Sequence, residues 1–164
     1  MDARPVEERD WDTIAWLASN EVQEGDHSSF GSGWVTRRRA FTGEKLESVI
    51  ASSGEAKAYC SLERASGEQA WRAFIVLDWS NDDLAVREAA FAELERLATS
   101  VGAPTVWMRE LEDDRTLLAF VQSKGFTVVR RYEFEGAAMA NLEKFYDGDP
   151  SGPGAVTEVT LHQA

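Results

Sequence analysis

The sequence predicts an α/β (α+β) domain, a central sheet with helices on both faces. Three observations predict it. Runs of strand character and segments of helical period follow one another in the order β-α-α-β-β-β-α-β-α-β-β. The run Trp71-Arg72-Ala73-Phe74-Ile75-Val76-Leu77 is apolar on both faces near its end, as a central strand covered on both sides must be. Six Trp, eight Phe and three Tyr supply one sizeable core.

The elements follow in order. Ala3 to Glu8 reads as a short edge strand, where Pro5 is tolerated. Asp10 is placed to cap a helix from Trp11 to Val22, whose Trp11, Ile14, Ala15, Leu17 and Ala18 form one stripe. Gly25 to Gly33 reads as a loop, and Trp34 to Phe41 as a second helix with Arg37-Arg38-Arg39 on a solvated face. Strands over Glu47–Ser52, Ala56–Arg64 and Gln69–Leu77 are joined by the turn Ser53-Gly54-Glu55 and the loop Ala65–Glu68.

From Leu84 to Ser100 the period is helical, carried by Ala90, Phe91, Leu94, Leu97 and Ala98, and Gly102 stops the helix. Thr105 to Met108 is a short strand. Asp113 or Asp114 caps a helix over Arg115–Ser123, which Gly125 closes. Thr127–Phe134 and Ala137–Leu142 form a closing hairpin. Residues 1–146 therefore read as the domain. The Gly- and Pro-rich stretch from Asp147 reads as a linker, and Val156–Leu161 as a C-terminal strand or tail.

Composition bounds the function. The chain has 164 residues, 43% of them hydrophobic and 28% charged, the balance of one soluble globular domain. A net charge of −12 disfavours duplex-DNA binding and docking on anionic lipid, and makes a cationic amine electrostatically welcome. No apolar run approaches the roughly 20 residues of a membrane span, and the N-terminus has no signal-peptide core. The single Cys60 rules out an internal disulfide or a Cys-based zinc site and points to a reducing cytoplasm. With only His27 and His162, no metal is expected. No Gly-x-Ser-x-Gly elbow is present to serve a hydrolase.

The block from Phe74 to Phe126 resembles the core of the GNAT acetyltransferase superfamily. The resemblance is carried by the apolar strand ending at Leu77, the helix Leu84–Ser100 and the Val101-Gly102-Ala103 break. The strand at Val106-Trp107-Met108, the next helix and Lys124-Gly125-Phe126 follow in the family's order. Met139-Ala-Asn-Leu142 resembles the family's last strand. The element order covers about the first 146 residues.

The resemblance implies a mixed, mostly antiparallel sheet of six or seven strands. It would splay open between the strand ending at Leu77 and the strand around Trp107. Acetyl-CoA would lie in the splay as acyl donor, its pyrophosphate on the N-terminus of the helix that starts at Leu84. Val76, Leu77, Asp78, Ala85, Val86 and Arg87 are then the expected cofactor contacts. The acceptor would be an amine of a small molecule or peptide, and a homodimer is compatible with the family.

The phosphate turn departs from the family's Arg/Gln-x-x-Gly-x-Gly/Ala motif. Asp82 and Asp83 stand at its first two positions, and Ala85 and Arg87 replace its glycines. Two carboxylates suit a helix start but repel a pyrophosphate, by roughly 3 kcal/mol per pair at about 5–6 Å and an effective dielectric near 20. Val121 stands where many members carry an acidic Tyr, with Phe120 beside it.

The candidate catalytic groups are Asp78 and Glu68 as bases flanking the central strand, and Tyr132 as the acid. Tyr59 is the other strand tyrosine. Trp79 and Trp107 are candidate pocket walls, His27 borders the acceptor side, and Cys60 reads as a buried apolar residue. The function expected is an acetyl-CoA-dependent N-acetyltransferase. The alternative is a catalytically degenerate domain of the same fold with a structural or recognition role, such as one half of a tandem or dimeric acetyltransferase.

Overall fold

The computed structural model describes residues 1–22, 32–79, 81 and 83–146. The expected loop with His27, the residue Asp82, the linker and the C-terminal strand lie outside the described residues.

Seven strands and four helices make up the described chain. They are β1 (Asp2–Arg4), α1 (Trp11–Val22), α2 (Ser32–Ala40), β2 (Glu44–Ser52), β3 (Glu55–Arg64) and β4 (Trp71–Leu77). There follow α3 (Leu84–Ser100), β5 (Thr105–Leu111), α4 (Arg115–Ser123), β6 (Thr127–Phe134) and β7 (Ala137–Phe145). A single 3-10 turn, Glu8–Asp10, leads into α1.

The strands form one sheet in the order β1-β2-β3-β4-β5-β7-β6. Every neighbouring pair is antiparallel except β4 and β5, which run parallel. Two tight hairpins, β2–β3 and β6–β7, bracket the sheet. Their turns are Ser53-Gly54, with φ of 53° and 81°, and Glu135-Gly136, with φ of 51° and 80°. Two consecutive left-handed residues are what a two-residue hairpin turn requires, and glycine accepts that conformation without strain.

Strand alternation divides the core in two. Cys60, Leu62, Trp71, Ala73, Ile75 and Leu77 face α3 and α4, and pack with Phe91, Leu94, Leu117 and Val121. Val49, Tyr59 and Val76 face the other way, onto Ile14, Leu17 and Trp34 of α1 and α2. Tyr59 is fully buried there, with Trp34 edge-on at 5.7 Å and Trp11 at 5.8 Å. Each face of the sheet is thus closed by a helix pair, and β4 is central and covered on both sides, as its sequence requires.

The structure departs from the sequence reading at several element ends: β2 begins three residues early, at Glu44, and β4 two residues late, at Trp71. β1 ends at Arg4, because Asp10 draws the next residues into a turn: Asp10 accepts from the Glu7 backbone N–H at 2.7 Å. β7 runs on to Phe145. β5 continues through Arg109, Glu110 and Leu111, three residues beyond the expected end. The expected strand stops before these residues, yet β7 pairs with β5 all the way to Leu111↔Met139. Among the described residues, no helix is long and apolar enough to cross a membrane.

Candidate active site

β4 and β5 hold register at only two positions, Trp71↔Val106 and Arg72↔Trp107. Beyond them the strands part. Residues 73–77 keep their ladder with β3, while residues 108–111 keep theirs with β7. Parallel strands lose their mutual bonds here because each is held by an antiparallel partner on its far side, and the sheet's twist carries the two pairs apart.

The gap holds a cavity of about 390 Å³. Phe74 and Val76 line it from β4, Arg109 and Glu110 from β5, Trp34 from α2 and Phe134 from the β6–β7 hairpin. That volume and mixed lining suit a small-molecule site.

The ionisable groups in the cavity are distinctive. Burial pushes the Glu110 carboxyl up to about 8, Asp114 adds to the rise, and Arg72 opposes it. Burial pulls the Arg72 guanidinium down to about 10, with Arg109 and Arg38 contributing and Glu63 opposing. Arg72 stacks between Phe74 at 4.5 Å and Trp107 at 4.9 Å. Arg109 lies over Phe134 at 4.8 Å. Arg38 covers Phe74 at 4.1 Å and donates to Glu63, which is buried, at 2.9 Å.

The sequence-predicted residues fall around this cavity. Val76 lines it. Leu77 is buried in the α3-side core. Glu68 is exposed in the β3–β4 loop, at the closed end of the split. Asp78 follows β4 at the open end, and its carbonyl accepts from the Asn81 N–H at 3.2 Å. Tyr132 donates its hydroxyl proton to Asn141 Oδ1 at 2.7 Å. Among the described residues, Glu68, Asp78 and Tyr132 do not line the cavity.

At the start of α3, Asp83 caps the helix by accepting from the Val86 N–H at 3.2 Å. Val86 turns its side chain into the core, and Ala85 is exposed. Arg87 folds back: it donates to the Trp79 carbonyl at 2.9 Å and lies over the Trp79 ring at 5.2 Å. Trp79 is edge-on to Phe120 at 5.9 Å. Trp79 thus braces the β4–α3 turn, and Trp107 supports Arg72 at the base of the split.

Cys60 is fully buried, and burial pushes its thiol up, out of nucleophilic range. Tyr59 spends its hydroxyl on Glu47 at 2.8 Å. The arginine run of α2 is not simply a solvated face, since Arg37 and Arg38 line the cavity while Arg39 pairs outside with Glu8 at 2.8 Å. No cluster of His, Cys, Asp and Glu suited to a metal occurs among the described residues.

Among the cavity residues that the sequence reading did not assign to a site are Glu110, Arg109 and Arg72. The first two lie on the stretch of β5 beyond the expected strand end at Met108. Continued alternation past Met108, with Trp107, Arg109 and Leu111 on one face and Met108 and Glu110 on the other, is the signal that places them.

Two parallel strands splayed over a cavity, with a helix starting behind the first, decide the fold. This chain has the GNAT acetyltransferase fold. An Escherichia coli ribosomal-protein alanine N-acetyltransferase superposes with a TM-score of 0.71 at 13% identity, over 92% of this chain and 97% of that one. An aminoglycoside 6'-N-acetyltransferase complexed with coenzyme A superposes at 0.70 and 13%, over 92% and 99%. A GCN5-related N-acetyltransferase from Kribbella flavida superposes at 0.69 and 13%, over 88% and 96%. No protein-family model matches the sequence, and no curated protein matches it. The GNAT fold is carried here by topology and core pattern, with little shared sequence.

Proposed function

We propose that the chain is an acetyl-CoA-dependent N-acetyltransferase acting on an amine. The observation that carries this reading is the parting of β4 and β5 beyond Arg72↔Trp107, with an open cavity between them. The β5-facing edge of β4 is left without strand partners from residue 73 onward, so its backbone groups can pair with an extended ligand arm. The fit at the slot is therefore good. Acetyl-CoA bound there supplies an acyl thioester that an amine can attack.

Each residue has a task in this reading. Backbone N–H groups near Val76 and Leu77 orient and polarise the acyl oxygen. Glu110, held near neutrality's upper edge by burial, accepts the proton that the attacking amine loses. Its position supports this role better than those of Glu68 and Asp78, which flank the strand outside the cavity. Tyr132 offers its proton to Asn141 rather than to the slot, so its proposed role as acid is not favoured. At the α3 start, the Arg87 charge lies beside the turn and partly offsets the Asp83 carboxylate.

A second reading, a domain of this fold without catalysis, is favoured by one observation: Asp83 already fills the Val86 N–H that a phosphate would take. Calorimetric titration with acetyl-CoA separates the two. Micromolar affinity, followed by release of CoA thiol on adding an amine panel, supports the transferase. No heat at millimolar acetyl-CoA supports the degenerate domain.

A further inference from the structure

We infer that the acceptor amine carries an oxyanion, a carboxylate or a phospho group, which Arg72 and Arg109 seat in the cavity. The inference rests on the transferase reading for the word acceptor, but the anion site stands on its own observations. Arg72 and Arg109 are brought to one cavity by different strands, on the α2 side of the split. Among the described residues, neither guanidinium makes a hydrogen bond or an ion pair, and the Nε of each is buried without a partner. Both instead lie on aromatic faces, Arg72 on Phe74 and Trp107, Arg109 on Phe134.

A guanidinium nitrogen taken out of water without an acceptor is costly, and two cations in one cavity repel each other. Stacking on rings recovers only part of that cost and gives the in-plane N–H donors no acceptor. The ligand chemistry that satisfies two such forks is an oxyanion, which each can grip through paired N–H···O bonds. Of the two other guanidiniums lining the cavity, Arg38 is held by Glu63, and Arg37 has an interaction of its own.

The opposite charges of the cavity complete the match. Glu110 points to the other face of β5 from Arg109, by strand alternation, and Asp114 and Glu135 also line the space. An acceptor with an amine at one end and an oxyanion at the other would meet carboxylates with the first and arginines with the second. The whole-chain charge of −12 therefore misleads about the acceptor, because the residues that would hold its far end are cationic.

The test uses the full chain, acetyl-CoA and matched acceptor pairs that differ only in charge. Amino acids are compared with their amides, and phosphoethanolamine with ethanolamine, by CoA thiol release. At least a tenfold higher kcat/KM for the anionic member is expected in one pair or both, and which pair responds tells carboxylate from phospho group. Arg72→Gln and, separately, Arg109→Gln should bring the ratio towards one. Equal use of neutral and anionic members overturns the inference. So does a raised KM for acetyl-CoA in the variants with the acceptor ratio intact, which would assign the arginines to the donor.

If no amine is acetylated, the transferase reading fails, and the anion site is then judged by titration alone. N-acetylglycine or inorganic phosphate should bind the wild-type chain, and at least tenfold more weakly in both variants. Absence of wild-type binding, or binding untouched by the substitutions, overturns the site.

Discussion

Arg72 and Trp107 form the last rung on which β4 and β5 stay in register, and the Arg72 guanidinium lies 4.9 Å from the centre of the Trp107 ring. The same pair therefore closes the base of the split and supports a cationic wall of the cavity. Trp107→Ala removes both the ring that packs there and the stacking surface. Trp107 is partly exposed, so a loss of about 2 kcal/mol is expected, below the 3–5 of a fully buried Trp. Trp107→Phe should cost less than about 1 kcal/mol, since a phenyl ring still accepts a stacked guanidinium. Urea unfolding of the two variants checks this. Equal losses would mean that the ring does not support the split.

Glu110 gives a pH signature in both activity and stability. Its carboxyl is pushed up to about 8, so the basic form grows in as the pH rises through that value. The rate of acetyl transfer should rise with it, and Glu110→Gln should lower kcat by roughly 10²- to 10⁴-fold and flatten that limb. The stability effect runs the other way. Between about 4.5 and 8 the folded chain holds a proton that the unfolded chain has released, so stability falls as pH rises across that window. Glu110→Gln should therefore gain stability relative to wild type at pH 9 and show little gain at pH 4. A melting-temperature difference that is constant with pH would show that the carboxyl is not perturbed by its surroundings.

The fold was legible in this sequence because its strong signals are local. The α3 stripe of Ala90, Phe91, Leu94 and Leu97 and the α4 segment Arg115–Ser123 match the structure to the residue at both ends. Gly and Asp at helix ends and the Ser53-Gly54 turn are equally local. The site was less legible, because its members come together only in three dimensions. Arg72 reads as the one polar interruption of an apolar run, and Arg109-Glu110 fall just past the expected end of a short strand. Their meaning depends on the divergence of β4 from β5, which is set by β3 and β7 on the far sides and leaves no mark within either segment.

Asp83 makes the start of α3 a test of donor binding. It caps the helix through Val86, and in the proposed reading its charge faces the pyrophosphate of the donor. Asparagine caps a helix about as well as aspartate but carries no charge. Asp83→Asn should therefore tighten acetyl-CoA binding by about threefold or more at low salt. The gain should shrink as ionic strength rises, because screening already weakens the repulsion. Asp83→Ala should instead lose about 1 kcal/mol of stability with the cap. Titration calorimetry at two salt concentrations reads the first effect. Affinity unchanged by Asp83→Asn at low salt would mean that the phosphates lie away from this helix.

Asp10 ties the edge of the sheet to the start of α1. Arg4 of β1 grips it with both terminal nitrogens, at 2.7 and 2.9 Å, and the Glu7 backbone N–H donates to it at 2.7 Å. The hydrogen bond from Arg4 is the main reason that its carboxyl lies below the usual aspartate range, with the Glu7 N–H helping and burial opposing. A carboxyl depressed on folding contributes stability that is fully present above its unfolded value near 3.8 and is lost as the pH falls through the lower folded value. Asp10→Asn keeps the shape but weakens the grip, since a neutral acceptor replaces a charged one. A loss of about 2 kcal/mol is expected at pH 7, the size of a partly buried charge-assisted pair. The two proteins should converge in stability as the pH falls through the lowered folded value, where the wild-type carboxyl is itself protonated. Acid titrations followed by circular dichroism would show that convergence, and curves that stay parallel through the acid transition would place the stabilising charge elsewhere.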